Sequence, residues 1–270
     1  MAANEAERAR WNADAQVRGW PKRERLTTVV TPALLARLAP QPGERVLEVG
    51  SGGGLAAIEL ARAVAPGGSV VGFDLSEGLV ALASQRAKEA AVANVRFVAG
   101  DAQTDAIPGG PFDAATSQFG VMFFEDPVAA FTNIRRHLKP GGRLAFACWD
   151  AAPKNRWLPI DVIMRFAPPS APPAGGSPPT GPFAFADRDF VRRVLDGAGF
   201  SDVAIEEDAF ETTVPYDTVY ERESLQGWRV APERVDEAWR AVEEYAKPML
   251  TADGDLRARL AVQFVTGRAP

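Results

Sequence analysis

The chain has 270 residues, a formal net charge of −5 and a pI near 5.2. This acidic balance argues against nonspecific nucleic-acid binding, which depends mainly on neutralising phosphates, so we expect neither RNA nor DNA as a partner. Cys148 is the only cysteine, which excludes an internal disulfide and a cysteine-based metal cluster, and we predict no metal site. The charged first twenty residues and the lack of a long apolar run favour a cytoplasmic protein that does not enter a membrane.

The first half of the chain contains alternating strand and helix patterns. Residues 2–19 are predicted to form a helix that ends at Gly19, with Trp20-Pro21 closing the segment, and Thr31-Pro32 begins the next helix. The alternation that follows is typical of a parallel sheet covered by helices on both faces. Its predicted elements are strands near 45–50, 69–74, 95–99, 112–117 and 143–148, and helices near 54–64, 77–91 and 127–138.

The second half is less regular. Residues 167–182 are rich in proline and glycine and are predicted to lack regular structure, either as a surface insertion or as part of a lid over a substrate pocket. Asp187 is the predicted N-cap of a helix that ends near Gly197 and Gly199. Three further elements follow, a strand near 202–214, a helical stretch over 216–250 and a final strand near 260–267.

Residues 46–54, Val-Leu-Glu-Val-Gly-Ser-Gly-Gly-Gly, join an apolar strand to a glycine turn. Glycines at 50, 52 and 54 remove the Cβ atoms that would hold a bound adenosine away from the backbone. A dinucleotide fingerprint needs Gly-x-Gly-x-x-Gly, which would place glycine at position 55, where Leu55 stands. The spacing therefore disfavours a nicotinamide cofactor.

These residues resemble motif I of the class I S-adenosylmethionine-dependent methyltransferases, an acidic residue followed by Gly-x-Gly-x-Gly. Three more segments occur in the order that this family uses, 70–74 (VVGFD), 95–102 (VRFVAGDA) and 112–117 (FDAATS). The resemblance covers residues 30–150 well and looks closest to small-molecule enzymes related to the quinone-biosynthesis C-methyltransferases. It implies an α/β, Rossmann-like, seven-stranded sheet in the order 3-2-1-4-5-7-6, with S-adenosyl-L-methionine as cofactor and S-adenosyl-L-homocysteine as product.

The resemblance and the element pattern together predict how the chain is divided. The expected parts are an N-terminal helical lid (1–30), a cofactor-binding core (31–150), a Pro/Gly-rich insertion and substrate cap (151–186), the remainder of the core (187–214 and 256–270) and a helical cap insertion (215–255). We expect a monomer or a homodimer.

Polar residues at the ends of the predicted strands are the candidate cofactor ligands. Asp74 ends the second strand, where its carboxylate could accept hydrogen bonds from both ribose hydroxyls, although capping the next helix is an alternative that Ser76 fits equally well. Glu48 is placed to receive the cofactor's ammonium group, and the resemblance implies that Asp101 accepts the adenine amino group. The full predicted set is Glu48, Gly50, Ser51, Gly52, Asp74, Leu75, Asp101, Ala102 and Ser117.

The acceptor side is predicted from aromatic and polar residues near the same sheet edge. The Ser117–Gly120 segment lacks the acidic or proline-rich motif of the DNA amino-methyltransferases, which favours a small-molecule acceptor. Asp150 is the candidate acid or base, with an ordinary loop position as its alternative, whereas His137 lies in a helix end and is assigned a structural role. The predicted substrate-binding residues, for which core packing is the alternative, are Trp11, Gln118, Trp149, Phe183, Phe185 and Tyr216.

The predicted function is methyl transfer to oxygen, nitrogen or carbon of a small organic molecule, achieved mainly by proximity and orientation. No position matches a catalytic motif, so the catalytic residue is left unassigned. Two alternatives remain at this stage, an NAD(P)-dependent oxidoreductase and a catalytically inactive protein that binds S-adenosylmethionine.

Overall fold

One seven-stranded sheet forms the centre of the structure, a computed structural model that describes residues 4–167 and 180–270. The strands are β1 (Arg45–Val49), β2 (Ser69–Asp74), β3 (Val95–Ala99), β4 (Phe112–Gln118), β5 (Leu138–Trp149), β6 (Ser201–Val214) and β7 (Leu256–Arg268). Their order is β3-β2-β1-β4-β5-β7-β6, which confirms the predicted topology. Strands β1 to β5 pair in parallel, and β7 runs antiparallel to both β5 and β6.

The central strands are covered on both faces. Val46 and Leu47 of β1 and Ala114 and Ala115 of β4 are fully buried, as expected for neighbouring parallel strands between two helical layers. The chain order reverses between β1 and β4, since β2 and β3 follow on one side and β5 on the other. Such a reversal opens a crevice at the carboxyl ends of the strands, where open α/β sheets bind ligands.

Helices pack against this sheet and over its ligand edge. Their bounds are α1 (Glu5–Asn12), α2 (Asp14–Arg23), α3 (Thr31–Leu38), α4 (Leu55–Ala63), α5 (Glu77–Glu89), α6 (Pro127–Arg136), α7 (Ile160–Ile163), α8 (Arg188–Gly197), α9 (Ser224–Gly227) and α10 (Val235–Ala246). Asp187 caps α8 by accepting hydrogen bonds from the backbone N–H groups of Asp189 and Phe190, as predicted. Ser76 caps α5 by accepting one from Leu79.

The prediction of one N-terminal helix that ends at Gly19 is wrong. Ala13 has extended backbone angles (φ −61°, ψ 132°) and separates α1 from α2, and α2 then continues through Gly19 and Pro21 to Arg23. Proline inside a helix removes one backbone hydrogen bond. Tertiary packing outweighs that loss, because Trp20 lies against the glycine turn after β1 and Val17 lies against the first turn of α5.

The predicted helical stretch over 216–250 is interrupted. Residues Ser224–Gly227 form the single turn α9, and Val235–Ala246 form α10, with Pro232 beginning a short 3₁₀ turn between them. Proline removes a donor and restricts the residue before it, so the chain bends where a pattern of apolar residues alone predicts continuous helix. The Pro/Gly-rich prediction over 167–182 falls mostly on 168–179, which lie outside the described residues.

A single apolar cluster joins these parts. It includes Leu34 of α3, Phe146 of β5, Val194 of α8 and Val242 of α10, all almost completely buried. In the part of the chain that the structure describes, no helix has both the length and the apolar character needed to cross a bilayer.

Candidate active site

A cavity of about 310 Å³ lies at the carboxyl ends of β1, β2 and β4, beneath the N-terminal helices. Seven of the nine predicted cofactor residues line it. They are Glu48, Gly50, Ser51, Asp74, Leu75, Asp101 and Ala102. The strands therefore bring together residues that are up to 54 positions apart in the sequence, as their shared place at strand ends predicts.

The glycine turn after β1 forms the floor of the cavity. Gly50 has φ +68°, and its Cα lies so close to Gly120 that a methyl group at position 50 would stand 2.9 Å from the Gly120 Cα. The turn thus needs glycine at position 50 both for its backbone angle and for the close approach of the chain that follows β4. The Ser117 side chain holds Gly120 in place, since its Oγ accepts a hydrogen bond from the Gly120 N–H at 3.2 Å.

Asp74 organises the loops on both sides of β2. Its Oδ2 accepts a hydrogen bond from the Gly52 N–H at 2.7 Å, and its Oδ1 accepts one from the Ser76 N–H at 2.8 Å. Each carboxylate oxygen keeps a lone pair for a further donor. Burial raises the pKa of this carboxyl, and the two backbone hydrogen bonds oppose that rise.

Glu48 is a cavity carboxyl with a strongly raised pKa. Its side chain is 1% exposed, and its Oε2 has no hydrogen-bond partner within the described residues. Burial, reinforced by the negative charge of Asp74, raises the pKa of Glu48 to about 8, while a backbone hydrogen bond from Ala57 acts in the opposite direction. A carboxyl in this environment is stabilised in its ionised form by a bound cation.

Four other cavity-lining residues also have a buried polar atom without a hydrogen-bond partner in the described part of the chain, namely Trp20, Ser51, Asp101 and Gln118. Asp101 accepts a hydrogen bond from the Gln103 N–H at 2.9 Å through Oδ1, whereas its Oδ2 has no partner among the described residues. Burial raises the pKa of Asp101. The Ser51 Oγ is likewise buried without a partner in that part of the chain. An unsatisfied buried polar group costs about 1–3 kcal/mol, so this arrangement favours a ligand that carries donors to these positions.

The cavity fits an adenosyl amino acid by chemistry. A ligand with an ammonium group, vicinal hydroxyls and an aromatic amino group would supply donors for Glu48, Asp74 and Asp101 respectively. Within residues 4–167 and 180–270, no group of three or more His, Cys, Asp or Glu side chains is arranged to hold a metal ion.

Two predicted cofactor residues do not line the cavity. Gly52 lies beneath the Trp20 indole, and its N–H points at Asp74, so it supports the site through that carboxylate. The Ser117 side chain is buried behind the strand end, where it holds Gly120.

Of the predicted acceptor residues, Trp11, Gln118 and Trp149 line the cavity. The Gln118 amide donates to the Thr27 carbonyl at 3.2 Å, which ties the end of β4 to the N-terminal segment. The Trp149 ring stacks on Phe119 with centroids 4.0 Å apart, so together they form a flat apolar wall. Phe119 holds this position with φ +60°, an uncommon conformation for a bulky residue and one that is concentrated at functional sites.

The other three predicted acceptor residues lie elsewhere. Phe185 is buried in the core and packs edge-on against Phe146, Phe183 packs at the margin of the same core, and Tyr216 packs against Tyr220. Phe183 and Phe185 lie in the long connection after β5, and Tyr216 lies in the one after β6. The sequence carries no local signal for the side of the sheet that such a connection covers.

Asp150 also points away from the cavity. Successive side chains of a strand alternate between its faces, and Trp149 takes the cavity side. The Asp150 carboxylate accepts a hydrogen bond from the Ala151 N–H at 2.6 Å and pairs with the Lys154 ammonium at 2.8 Å. His137 has a structural position, with Nδ1 donating to the Asn133 carbonyl and Nε2 accepting from the Ile107 N–H.

Sequence reasoning missed several cavity residues, chiefly on the N-terminal helices and after β4. Trp20, Arg23, Phe119 and Phe123 all line the cavity. The predicted N-terminal helix ends before Trp20 and Arg23, whereas α2 continues through both residues. For Phe119 the available signal was its place directly after a strand that ends at the ligand edge.

Comparison with known proteins agrees with this geometry. Residues 46–142 match a family model described as a methyltransferase domain. The chain is 30% identical over 259 residues to nocamycin O-methyltransferase from Saccharothrix syringae, across 87% of this chain and 89% of that protein. It is 31% identical over 186 residues to demethylmenaquinone methyltransferase from Corynebacterium kroppenstedtii, across 66% of this chain and 77% of that protein.

A solved structure shares the fold. The S-adenosylmethionine-dependent methyltransferase from Aquifex aeolicus aligns with a TM-score of 0.54 at 15% identity, across 98% of each chain. The sheet order and the ligand edge thus define a Rossmann-like methyltransferase fold. The chain belongs to the S-adenosylmethionine-dependent methyltransferase family, as the resemblance in its motifs predicted.

The contact between Gly50 and Gly120 provides a test of how rigid the cavity floor is. Gly120 has φ −89°, which alanine adopts freely, but a methyl group there would stand 3.0 Å from the Gly50 Cα and from the Val49 carbonyl oxygen. We expect Gly120→Ala to lower the free energy of unfolding by about 1–3 kcal/mol through overpacking and to weaken S-adenosylhomocysteine binding. Thermal unfolding and calorimetric titration measure the two effects.

Gly227→Ala is the matched control, because among the described residues no heavy atom beyond its own helix backbone and chain neighbours lies within 4 Å of the added methyl group. We expect it to leave the affinity unchanged and not to lower the free energy of unfolding, since alanine is favoured over glycine in a helix. Equal changes of the free energy of unfolding and of the affinity in the two variants would contradict tight packing between Gly50 and Gly120.

Proposed function

We propose that S-adenosylmethionine binds across the tips of β1, β2 and β3, with a small organic acceptor beside it in the same cavity. The observation that carries this proposal is the convergence of Glu48, Asp74 and Asp101 on one cavity, where two of the three carboxylates keep an oxygen without a partner in the described part of the chain. These groups match the ammonium, the ribose hydroxyls and the adenine amino group of the cofactor.

The supporting residues have separate roles in this proposal. Gly50 and Ser51 bring backbone groups close to the ligand, Gly52 supports Asp74 through its N–H, and Ser117 keeps the glycine turn in place through Gly120. Leu75 and Ala102, which line the cavity after β2 and β3, flank the adenine.

The acceptor in this proposal rests against the aromatic wall. Phe119 and Trp149 are stacked, and Trp11 packs against Phe123 with centroids 5.2 Å apart. Such surfaces favour an apolar acceptor that contains a ring. The relatives named for nocamycin and demethylmenaquinone are small-molecule methyltransferases, which supports the same class.

When bound, the cofactor supplies a methyl group already activated on a sulfonium centre. The work left to the chain is to orient the acceptor and exclude water, and aligned geometry of this kind contributes roughly 7–11 kcal/mol. The N-terminal helices cover the cavity, which serves that exclusion. We assign no catalytic base, and Asp150, held by Lys154, is not given that role.

Calorimetry separates the cofactor classes. We expect S-adenosylhomocysteine to bind with one site per chain and NAD to give no heat above dilution, because Leu55 occupies the third position of the dinucleotide fingerprint. Binding of NAD in place of S-adenosylhomocysteine would contradict the proposal.

Transfer of a labelled methyl group from S-adenosylmethionine to a panel of hydroxylated naphthalenes then tests activity. Labelled product supports an active enzyme. Cofactor binding without labelled product from this panel or from a pooled metabolite extract would favour a binding protein without transfer activity.

We further propose that the enzyme acts in the cytoplasm, as a monomer or homodimer. Cys148, the only cysteine, is a buried free thiol, which suits a reducing compartment. Subcellular fractionation of the producing cells tests the location. Size-exclusion chromatography with light scattering tests the oligomeric state.

A further inference from the structure

Arg23 is the last residue of α2 and lines the cavity. Its side chain folds back along the helix, where Nη2 donates to the Gln16 carbonyl. Gly19 makes this possible, since a methyl group at position 19 would collide with the Arg23 guanidinium. Glycine in the middle of a helix costs about 0.5–1 kcal/mol relative to alanine, and here it clears the space that the guanidinium occupies.

Two other cations, Lys22 on α2 and Arg86 on α5, have acidic partners. Lys22 pairs with Asp217 at 2.8 Å and with Glu221 at 2.6 Å, and Arg86 pairs with Glu24 at 2.5 Å. By contrast, among residues 4–167 and 180–270 no carboxylate lies within ion-pair distance of Arg23. Its charge therefore remains available on the cavity wall.

The environment of Arg23 favours an anion over water as its partner. Burial lowers the pKa of the guanidinium, with Glu221 favouring the charge from a distance and Arg10 opposing it. One hydrogen bond, to Gln16, engages the side chain in the described part of the chain, whereas a guanidinium has five N–H donors. A planar fork of free donors matches a carboxylate or a similar oxygen anion.

We propose that Arg23 is the anion-binding residue of the cavity and that its ligand is a carboxylate-type oxygen anion. Two sources have this chemistry, the methionine carboxylate of the cofactor and an ionised oxygen on the acceptor. The inference rests on the proposed function and extends it, since it gives α2 a recognition role in addition to covering the cavity.

Arg23→Met removes the charge and keeps an unbranched apolar side chain, and Lys22→Met is the matched control. Lys22 is the preceding residue on the same helix, but its ammonium pairs with the segment around Asp217. Both variants remove one positive charge, so they share any effect of net charge.

Two pairs of probes identify the source of the anion. The first pair is S-adenosylhomocysteine and 5′-methylthioadenosine, which lacks the amino acid end. The second is 8-anilinonaphthalene-1-sulfonate and N-phenyl-1-naphthylamine, which share their rings but differ by the anionic group. Affinities are measured by calorimetry for the first pair and by fluorescence titration for the second.

We expect Arg23→Met to weaken the anionic member of one pair at least tenfold, about 1.4 kcal/mol, with its uncharged counterpart unchanged and with Lys22→Met equal to wild type. Loss confined to S-adenosylhomocysteine assigns the anion to the cofactor, and loss confined to the sulfonate assigns it to the acceptor region. No loss, or an equal loss for both members of each pair, overturns the inference. If wild type does not bind S-adenosylhomocysteine, the proposed function fails, whereas the naphthalene pair still tests Arg23.

Discussion

S-Adenosylhomocysteine binding is expected to release close to one proton from Glu48 at pH 7, and Glu48→Gln is expected to remove that part of the release. The pKa of Glu48 is raised to about 8 by burial and by Asp74, so about nine-tenths of the cofactor-free protein carries a protonated Glu48 at pH 7. A bound ammonium group favours the ionised carboxylate, and the proton must leave. Calorimetry in buffers of different ionisation enthalpy measures the number released.

This exchange of the Glu48 proton for a bound ammonium group also determines how S-adenosylhomocysteine affinity depends on pH. Below pH 8 the ligand must displace a proton, so affinity is expected to rise by up to about tenfold per pH unit between pH 6 and pH 8. Glu48→Gln should bind more weakly at pH 8 and show a flatter profile. Asp74, whose pKa is also raised by burial, contributes in the same direction, and the difference between wild type and the variant isolates Glu48. A profile identical in the two proteins would contradict the assignment of Glu48.

The free energy of unfolding of the cofactor-free protein should fall as pH rises, whereas the cofactor affinity should rise. The folded state holds the Glu48 proton up to about pH 8, whereas the unfolded state loses it near 4.5, the ordinary pKa of a glutamate. The native state therefore binds more protons between these values, and the free energy of unfolding falls by up to about 1.4 kcal/mol per pH unit as pH rises through them. Glu48→Gln removes this contribution, which chemical denaturation at several pH values measures.

Asp74→Ala is expected to weaken S-adenosylhomocysteine binding at least tenfold. The substitution removes the proposed acceptor of the ribose hydroxyls, for which charge-assisted hydrogen bonds contribute roughly 1.5–3 kcal/mol each. It also leaves the Gly52 and Ser76 N–H groups without their carboxylate, so the glycine turn and the start of α5 lose a common anchor. Calorimetric titration measures the affinity.

Asp126→Ala is a suitable control for this variant. Asp126 caps α6 by accepting a hydrogen bond from Ala129 at 2.9 Å and does not line the cavity. Its loss should lower the free energy of unfolding by about 0.5–2 kcal/mol and leave cofactor affinity unchanged. Unchanged affinity in Asp74→Ala, or an equal loss in both variants, would argue against a direct role for Asp74.

The cofactor side of the site could be predicted because its residues follow local rules. Glu48, Asp74 and Asp101 each lie near the end of a parallel strand, and parallel strands end at one edge. The position of the antiparallel β7 came from the family resemblance, since a pattern of alternating residues gives a strand but not its neighbours.

The acceptor side could not be predicted in the same way. Trp149 and Asp150 are neighbours at the end of β5, and Trp149 is the one that lines the cavity. The sequence pattern does not show which of the two side chains faces the ligand. Trp20 lies between a glycine and a proline, which are local signals for a helix end, and Arg23 comes two residues after that proline. Packing against the glycine turn nevertheless extends α2 through both residues. Contacts with residues distant in the sequence therefore determine where these side chains lie.

The hydrogen bonds between the N-terminal helices and the loop after β2 have a consequence for turnover. The Ser76 hydroxyl donates to the Trp11 carbonyl at 2.8 Å, and the Asn12 side chain accepts from the Glu77 N–H at 3.0 Å. These bonds join the N-terminal helices to the loop after β2, so we expect their loss to shorten the residence of spent cofactor as well as of substrate.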